Sequence, residues 1–388
     1  MGDCIKEYCV GCGLCASVDG QVLKVDNRGF YYPMDTDSLL LKKVCPVSGI
    51  HTYCMDKQNI WGRSEKVYIG WSNDELLRSK ASSGGVLTEL AAYALEKKYV
   101  DVVMHTEVDS TYPTKTVTTF SNSREQLEKK CGSRYSISHP LDKIGELDKS
   151  KRYLFIGKPC DVIVLRNYLE LNPDMKQVIP YMFSFFCAGL PSVDAQKKLL
   201  LKMGTSVDEC QSLKYRGDGW PGYATAINFD NKVFKMEYRE AWGKTLGRDI
   251  MKACRVCLDG IGEMADISCG DVWYMNADQT PDFGEHEGRN VIFSRTVAGT
   301  ELISNAIKDK VIHVEKFPEY DEYLKKIQKY QYERKATMRV KLLVLKILGK
   351  SVPTYDSNVM KQFSKTIDKK KQWRIAAGTL KRAFKGKF

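Results

Sequence analysis

Cys9, Cys12 and Cys15 follow the spacing C-x2-C-x2-C within Cys9-Val10-Gly11-Cys12-Gly13-Leu14-Cys15. Three thiolates on so tight a loop can hold three irons of a cubane, and the glycines let the backbone wrap it and turn N–H groups toward sulfur. A zinc knuckle is the other chemistry this spacing permits. Four further cysteines stand in distinctive settings. Cys160 closes the run Phe155-Ile156-Gly157-Lys158-Pro159-Cys160, Cys187 follows Phe185-Phe186, and Cys254-Arg255-Val256-Cys257 is a C-x2-C pair. Strand ends converge on one edge of a sheet, so these could form a second four-thiolate site, open to zinc or to iron–sulfur chemistry. Ser82-Ser83-Gly84-Gly85 lies between an expected strand and a helical pattern. Glycines there admit a pyrophosphate close to the backbone, and the helix start offers unpaired N–H groups, although the same residues also make a plain helix cap.

The fourth ligand of the first set is not local. In bacterial ferredoxins the run C-x2-C-x2-C-x3-C-P occurs twice, and each Cys-Pro serves the other cluster. Here Asp19-Gly20 stands at the local Cys-Pro position, and the Cys-Pro of this region is Cys45-Pro46. Counting back from Cys45 by the second repeat's spacing gives Leu41, Ser38 and Asp35, none of them cysteine. One ligand set, Cys9, Cys12, Cys15 and Cys45, is whole, and the other is missing throughout. This is the pattern of a degenerate ferredoxin-like module with one 4Fe–4S cluster. Cys4 and Cys54 are left over and read as packing residues.

Several stretches together resemble the coenzyme F420 hydrogenase/dehydrogenase β-subunit family, which includes ferredoxin-dependent chlorophyll-modifying reductases and homologues in polysaccharide gene clusters. They are Arg78 to Thr88 (RSKASSGGVLT), Cys131 to Ser136 (CGSRYS), Ile156 to Asp161 (IGKPCD), Phe186 to Gly189 (FCAG), Tyr215 to Gly222 (YRGDGWPG) and Cys254 to Trp273 (CRVCLDGIGEMADISCGDVW). The resemblance implies FAD and a nearby 4Fe–4S cluster. It implies Cys160, Cys187, Cys254 and Cys257 as that cluster's ligands, with Cys269 as a substitute for Cys187. Cys131 and Cys210 look incidental. Ser82, Ser83, Gly84, Gly85 and Thr88 become expected FAD contacts, as do Gly132, Ser133, Arg134 and Gly157. Arg134 also reads as a surface ion-pair residue. Lys158, placed where flavin and cluster should meet, is the expected catalytic cation, since positive charge there favours reduced, anionic flavin. A solvated lysine is the other reading.

The resemblance further implies an oxidoreductase passing electrons between ferredoxin, or a reduced deazaflavin, and a bound substrate through two clusters and FAD. A small molecule or a glycan precursor is the expected substrate. The rivals are an electron-transfer subunit with no substrate site of its own and a zinc-stabilised binding module.

The elements that must position these residues read as mixed α/β. Strands are expected over Val67–Gly70, Val100–Met104, Tyr153–Gly157 and Val178–Phe186, with helices over Gly84–Lys97, Asp161–Leu171 and Pro191–Met203. A hairpin is expected from Tyr223–Phe229 to Val233–Met236, and Asn290–Arg295 reads as the body's last strand. Alternating strands and helices predict a sheet with its site at strand C-terminal ends. The expected organisation is a ferredoxin-like module over 1–61, a flavin and iron–sulfur α/β domain over 62–318, and a basic helical tail over 319–388.

At 388 residues, 43% of them hydrophobic, the chain can bury a large core. No apolar run approaches the ~18–20 residues of a membrane span. The start, Met1-Gly2-Asp3-Cys4, lacks a basic segment followed by an apolar one, so a cytoplasmic chain without a secretory signal is expected. Of the net charge of +12, residues 321–388 supply 19 Lys/Arg against 5 Asp/Glu, leaving the body nearly neutral. Nucleic acid is therefore not an expected partner. Trp373, Ala376, Ala377, Leu380 and Phe384 recur at helical spacing among lysines and arginines. Such a helix suits an anionic membrane surface, at the inner membrane face, or packs its apolar side on the body.

Overall fold

The computed structural model describes residues 2–48 and 59–388. In chain order its strands are β1 (Leu23–Val25), β2 (Tyr31–Pro33), β3 (Lys66–Ser72), β4 (Val102–Val108), β5 (Thr116–Ser121), β6 (Tyr153–Gly157) and β7 (Tyr181–Phe185). Then follow β8 (Cys210–Lys214), β9 (Tyr223–Asn228), β10 (Val233–Glu237), β11 (Ile267–Asp271), β12 (Asn290–Ser294) and β13 (Ile312–Lys316). Eight of them form one mixed sheet in the order β13-β3-β12-β11-β7-β6-β4-β5. Its centre, β4, β6, β7 and β11, is parallel, and the strands outside it pair antiparallel.

Covered on both faces, the central strands are apolar almost throughout: Tyr153, Leu154 and Phe155 of β6 and Met182 and Phe183 of β7 are all buried. The exposed edge strand β10 instead alternates exposed and half-buried residues. The helix Val86–Glu96 packs Leu90, Ala91 and Ala94 into the core, as its spacing predicts. It begins at Gly85, whose φ of +76° favours glycine over other residues. One apolar core joins residues from Cys4 to Phe388, so the cysteine-rich start, the sheet and the last helices share an interior.

Several expectations need correction. Ser82–Gly85 does not directly join a strand to a helix, because the helix Glu75–Lys80 intervenes after β3. Asn290–Ser294 is not the last strand, since β13 pairs beyond β3 at the sheet edge. The segment around Cys269 is a central strand although it contains Gly270 and Asp271, weak strand formers, because β7 and β12 bracket it. The stretch read as a basic helical tail is helical and shares the main core, since Lys329–Ile347 buries Ala336, Met338, Leu342 and Leu345.

Candidate functional site

Two sets of thiols and one cavity lie close together. Cys9, Cys12, Cys15 and Cys45 line a single pocket with Leu23, Tyr31, Leu41 and Val44. Gly11 and Gly13, at φ +66° and +88°, supply the left-handed turns of that loop. The Gly11 N–H points at Cys9 Sγ, 3.3 Å away. Burial drives the Cys45 thiol well up, and Cys9, Cys12 and Cys15 add to it, which places all four within electrostatic reach of one another. Cys9 is pushed up to about 12 and Cys15 to about 11, burial again being the main cause.

The second set assembles at strand ends. Cys160 sits in the first turn of the helix Pro159–Leu171, directly after β6. Cys187 follows β7, and Cys254 lies in the short helix Lys252–Val256 with Cys257 just after it. Burial raises Cys160, Asp161 raises it further, and Cys257 and Cys187 act on it too. Burial pushes Cys254 up to about 12, with Cys187 and Cys257 contributing. The Leu190 N–H points at Cys254 Sγ, 3.3 Å away. Cys269 is raised by burial alone, with no other cysteine acting on it. It lies in β11 and lines the cavity, so the structure brings Cys187 and not Cys269 to the other three.

Among the described residues no three His, Cys, Asp or Glu side chains close tightly enough to hold a single metal ion. Each set has a backbone N–H turned toward one of its sulfurs, a donor arrangement that fits an iron–sulfur cluster. Cys4 is buried with its thiol 3.5 Å from the Val47 carbonyl, Cys210, the first residue of β8, is buried in a core cluster, and Cys54 lies outside the described residues.

The helix Pro159–Leu171 separates the two sets by little. Cys160 and Asp161 stand at its start. One turn on, Val164 lines the N-terminal pocket, and Asn167 Nδ2 donates to the Val44 carbonyl at 3.2 Å. Asp161 is the acidic neighbour of both sides, since it acts on Cys12 and on Cys160.

The cavity, of about 330 Å³, opens at the C-terminal ends of the parallel strands, where an α/β sheet places its ligands. Ser82, Ser83, Gly85, Thr88, Gly132, Ser133, Arg134, Gly157 and Lys158 all line it, as does Cys187. Ser82 Oγ accepts from the Ser133 N–H at 2.6 Å and ties the two loops together. Gly84 is the exception: a side chain there would run into Asn290 Oδ1 and the Gly70 carbonyl, both at 2.9 Å. Its role is to let the loop press on β3 and β12.

Arg134 meets only backbone carbonyls, of Ser133, Lys130 and Cys131, at 3.3, 3.4 and 3.4 Å. Its Nε is buried without a partner, and burial lowers the guanidinium from its ordinary value. It is not a surface ion-pair residue but a cation facing the cavity beside a helix start, a fit for a phosphate group.

Lys158 is 7% exposed, so it is no solvated lysine. Nζ lies 2.8 Å from Asp161 Oδ2 and 2.8 Å from Ser138 Oγ. Burial alone would lower the ammonium, but Asp161, Cys160 and Cys187 hold it above the usual lysine value. Four cavity residues, Arg216, Tyr238, Asp271 and Trp273, carry no role in the sequence reading. Arg216 pairs with Asp271 at 2.9 Å and lies over the rings of Tyr238 and Trp273, 4.7 and 5.2 Å from their centroids. Trp220 Nε1 also donates to Asp271, at 3.1 Å. The run Tyr215-Arg216 was visible, but nothing in the sequence tied it to Asp271, 55 positions on.

An α/β sheet with a strand-end cavity and paired thiol sites defines the class. The chain belongs to the coenzyme F420 hydrogenase/dehydrogenase β-subunit family, whose N-terminal part matches residues 67–144 and C-terminal part residues 150–320. It is 28% identical to the coenzyme F420-dependent sulfite reductase of Methanocaldococcus jannaschii over 326 residues, 78% of this chain but 46% of that protein. It is 25% identical to coenzyme F420 hydrogenase subunit beta of Methanosarcina barkeri, across 68% of this chain and 87% of the relative. The fold matches a chain of the F420-reducing NiFe hydrogenase complex from Methanosarcina barkeri with a TM-score of 0.60 at 21% identity, covering 78% of this chain and 99% of that one. The chain thus spans about half the length of the sulfite reductase and most of the hydrogenase subunit. Among the described residues no helix is long and apolar enough to cross a membrane.

Proposed function

We propose that the chain is an iron–sulfur flavoprotein oxidoreductase. The reading rests on one observation: two four-thiol sets flank the start of a single helix, and the second set adjoins the strand-end cavity through Cys187. Cys9, Cys12, Cys15 and Cys45 would hold one 4Fe–4S cluster, and Cys160, Cys187, Cys254 and Cys257 a second. FAD would occupy the cavity with its phosphates against Ser82, Ser83, Gly85, Gly132, Ser133 and Arg134. Such clusters carry single electrons, and a flavin exchanges them for pairs. Lys158, held charged by Asp161, would place fixed positive charge beside the flavin. Asp161 also positions the Lys158 backbone by accepting its N–H at 3.0 Å.

Anaerobic reconstitution with iron and sulfide analysis and a visible spectrum tests this. About eight irons and one flavin per chain are expected for two cubanes. Four irons or fewer, or a spectrum without flavin bands, would overturn it.

The named relatives favour a reduced deazaflavin as the electron partner, with ferredoxin as the alternative. Anaerobic mixing with each, following flavin bleaching, separates them. A small molecule, with a glycan precursor as one candidate, is the proposed substrate. Reoxidation of the reduced chain by such compounds distinguishes an enzyme from an electron-transfer subunit, which would need its protein partner.

The last helix, Lys369–Phe384, supports peripheral binding to an anionic lipid surface. Trp373 and Phe384 are 77% and 78% exposed. With Ala377 and Leu380, also exposed, they fall in an arc of about 60° at 3.6 residues per turn. Lys370, Arg374, Lys381 and Lys385 flank that stripe in solvent, while Thr379 and Ala383 face the body. The helix packs on Lys329–Ile347 and Val359 and Phe363 are buried before it, so removing everything after Tyr355 would strip the core. The exposed pair Trp373→Ala with Phe384→Ala is the sounder variant. Equal sedimentation of variant and parent with anionic vesicles at low salt would exclude the helix as an anchor.

A further inference from the structure

The family-matched region ends at residue 320, yet the helix Lys329–Ile347 beyond it reaches the second thiol set. Arg334 is only 5% exposed. Its Nη2 donates to the Cys187 carbonyl at 2.9 Å, beside Gln331 Nε2 on the same oxygen at 3.0 Å. Its Nε is buried with no hydrogen-bond partner. Among the described residues no carboxylate pairs with it. After burial, which opposes its charge, the groups acting on it are Tyr330 and then Cys257, Cys187 and Cys254. The backbone is shaped to admit it, since a side chain at Gly260 would sit 2.7 Å from Arg334 Nη1. Farther along the same extension, the Tyr355 hydroxyl donates to the Val256 carbonyl, between the two cysteines of the C-x2-C pair, at 2.8 Å.

A buried guanidinium without an anion is costly, and replacing its water requires negative charge nearby. Here the negative charge on offer is that of thiolates and of the cluster they would carry. We propose that residues 329–355 form a built-in cover for the second cluster, and that Arg334 is a positioning residue that raises its reduction potential. This rests on the iron–sulfur reading of Cys160, Cys187, Cys254 and Cys257. The direction follows from charge: reduction adds an electron to a cluster that is already negative, and a fixed cation beside it favours the more negative state. Arg334 cannot lose its proton at any working pH, so it is a constant rather than a switched field.

The test is an EPR-monitored redox titration of the anaerobically reconstituted full chain, comparing parent, Arg334→Gln and Arg334→Lys. The signal of the N-terminal cluster serves as internal reference. Iron analysis comes first: if the parent holds no second cluster, the underlying reading fails and the role of Arg334 falls with it. Given two clusters, Arg334→Gln should keep its iron and lower the reduced-to-oxidised ratio of the second cluster about tenfold at fixed potential, or about 59 mV for one electron. The first cluster should stay in place, and Arg334→Lys, which keeps the charge, should stay within a few-fold of the parent. If the Gln variant loses the second cluster, retention in Arg334→Lys at near-parent potential still supports the charge role. An unshifted potential in an iron-replete Gln variant, or loss of the cluster in both variants, overturns it.

Discussion

Replacing Arg134 with Met should act in opposite senses on flavin binding and on the flavin-free protein. The side chain has little to lose locally: three contacts to carbonyls at 3.3–3.4 Å lie at the long end for hydrogen bonds, and Nε has none. Met keeps the apolar stem and relieves a partly desolvated charge, so the flavin-free melting point should hold or rise slightly. Toward FAD the loss is that of a charge-assisted hydrogen bond to phosphate, about 1.5–3 kcal/mol. At 1.36 kcal/mol per decade this weakens binding roughly 10- to 150-fold. Fluorescence titration of the flavin-free chain with FAD measures it directly, and thermal unfolding checks it, because the stabilisation conferred by saturating FAD shrinks by the same free energy. Arg134→Lys, a point charge lacking the planar fork, should fall between. Parent-like FAD affinity in Arg134→Met, with folding intact, would refute the assignment of this cation to the phosphate.

Cys45→Ser should remove the N-terminal cluster as fully as Cys12→Ser, and iron should drop from about eight to about four per chain with the second cluster's signal retained. Survival of both signals would break the pairing of Cys45 with the C-x2-C-x2-C run. Gly85→Val should cost at least the ~1–2 kcal/mol of a left-handed backbone, more for a β-branched residue, and crowd the Ser72 and Arg78 atoms now 3.3–3.5 Å from that point. Flavin content should fall while N-terminal iron stays, and full flavin occupancy would reduce Gly85 to a helix start. His105, which lines the cavity and pairs with Ser121 Oγ at 2.9 Å, is pushed by burial down to about 4, with Lys130 adding to the shift. The unfolded chain therefore takes up this proton first, so stability is full above about 6.5 and falls by about 3 kcal/mol as pH drops to about 4. Urea unfolding of His105→Asn across that range should show a flatter profile; an unchanged slope would remove His105 from the acid response.

Both candidate thiol sets could be proposed from the sequence because cysteine spacing and strand-end position are local properties, although the choice between Cys187 and Cys269 stayed open there. The hairpin from Tyr223 to Glu237 was likewise legible, its turn being marked by Asp230-Asn231. β11 was not, because Cys269-Gly270-Asp271 has poor strand propensity and owes its conformation to β7 and β12. Gly84 and Gly85 are neighbours in one motif, yet one answers to packing and the other to a left-handed turn, a division only the neighbours in space reveal. Arg334 left no sequence signal at all. It sits in a stretch whose many lysines and arginines read as a solvated basic face, and the carbonyl it binds is 147 positions away. Long-range polar contacts of this kind have no periodicity to betray them.

The order of synthesis gives the cover over the second site a further meaning. Chains emerge N-terminal end first, at roughly 5–20 residues per second. Cys257, the last of the four thiols in sequence, precedes Arg334 by 77 positions. For roughly 4–15 s at those rates, the four thiols exist without the helix that will close over them. On the iron–sulfur reading of the second set, this is an interval in which iron and sulfide would meet the four thiols before residues 329–355 are in place. On that reading, a centre filled during translation and one refilled in the finished chain would be loaded in different surroundings, the second with Arg334 and Gln331 already on the Cys187 carbonyl.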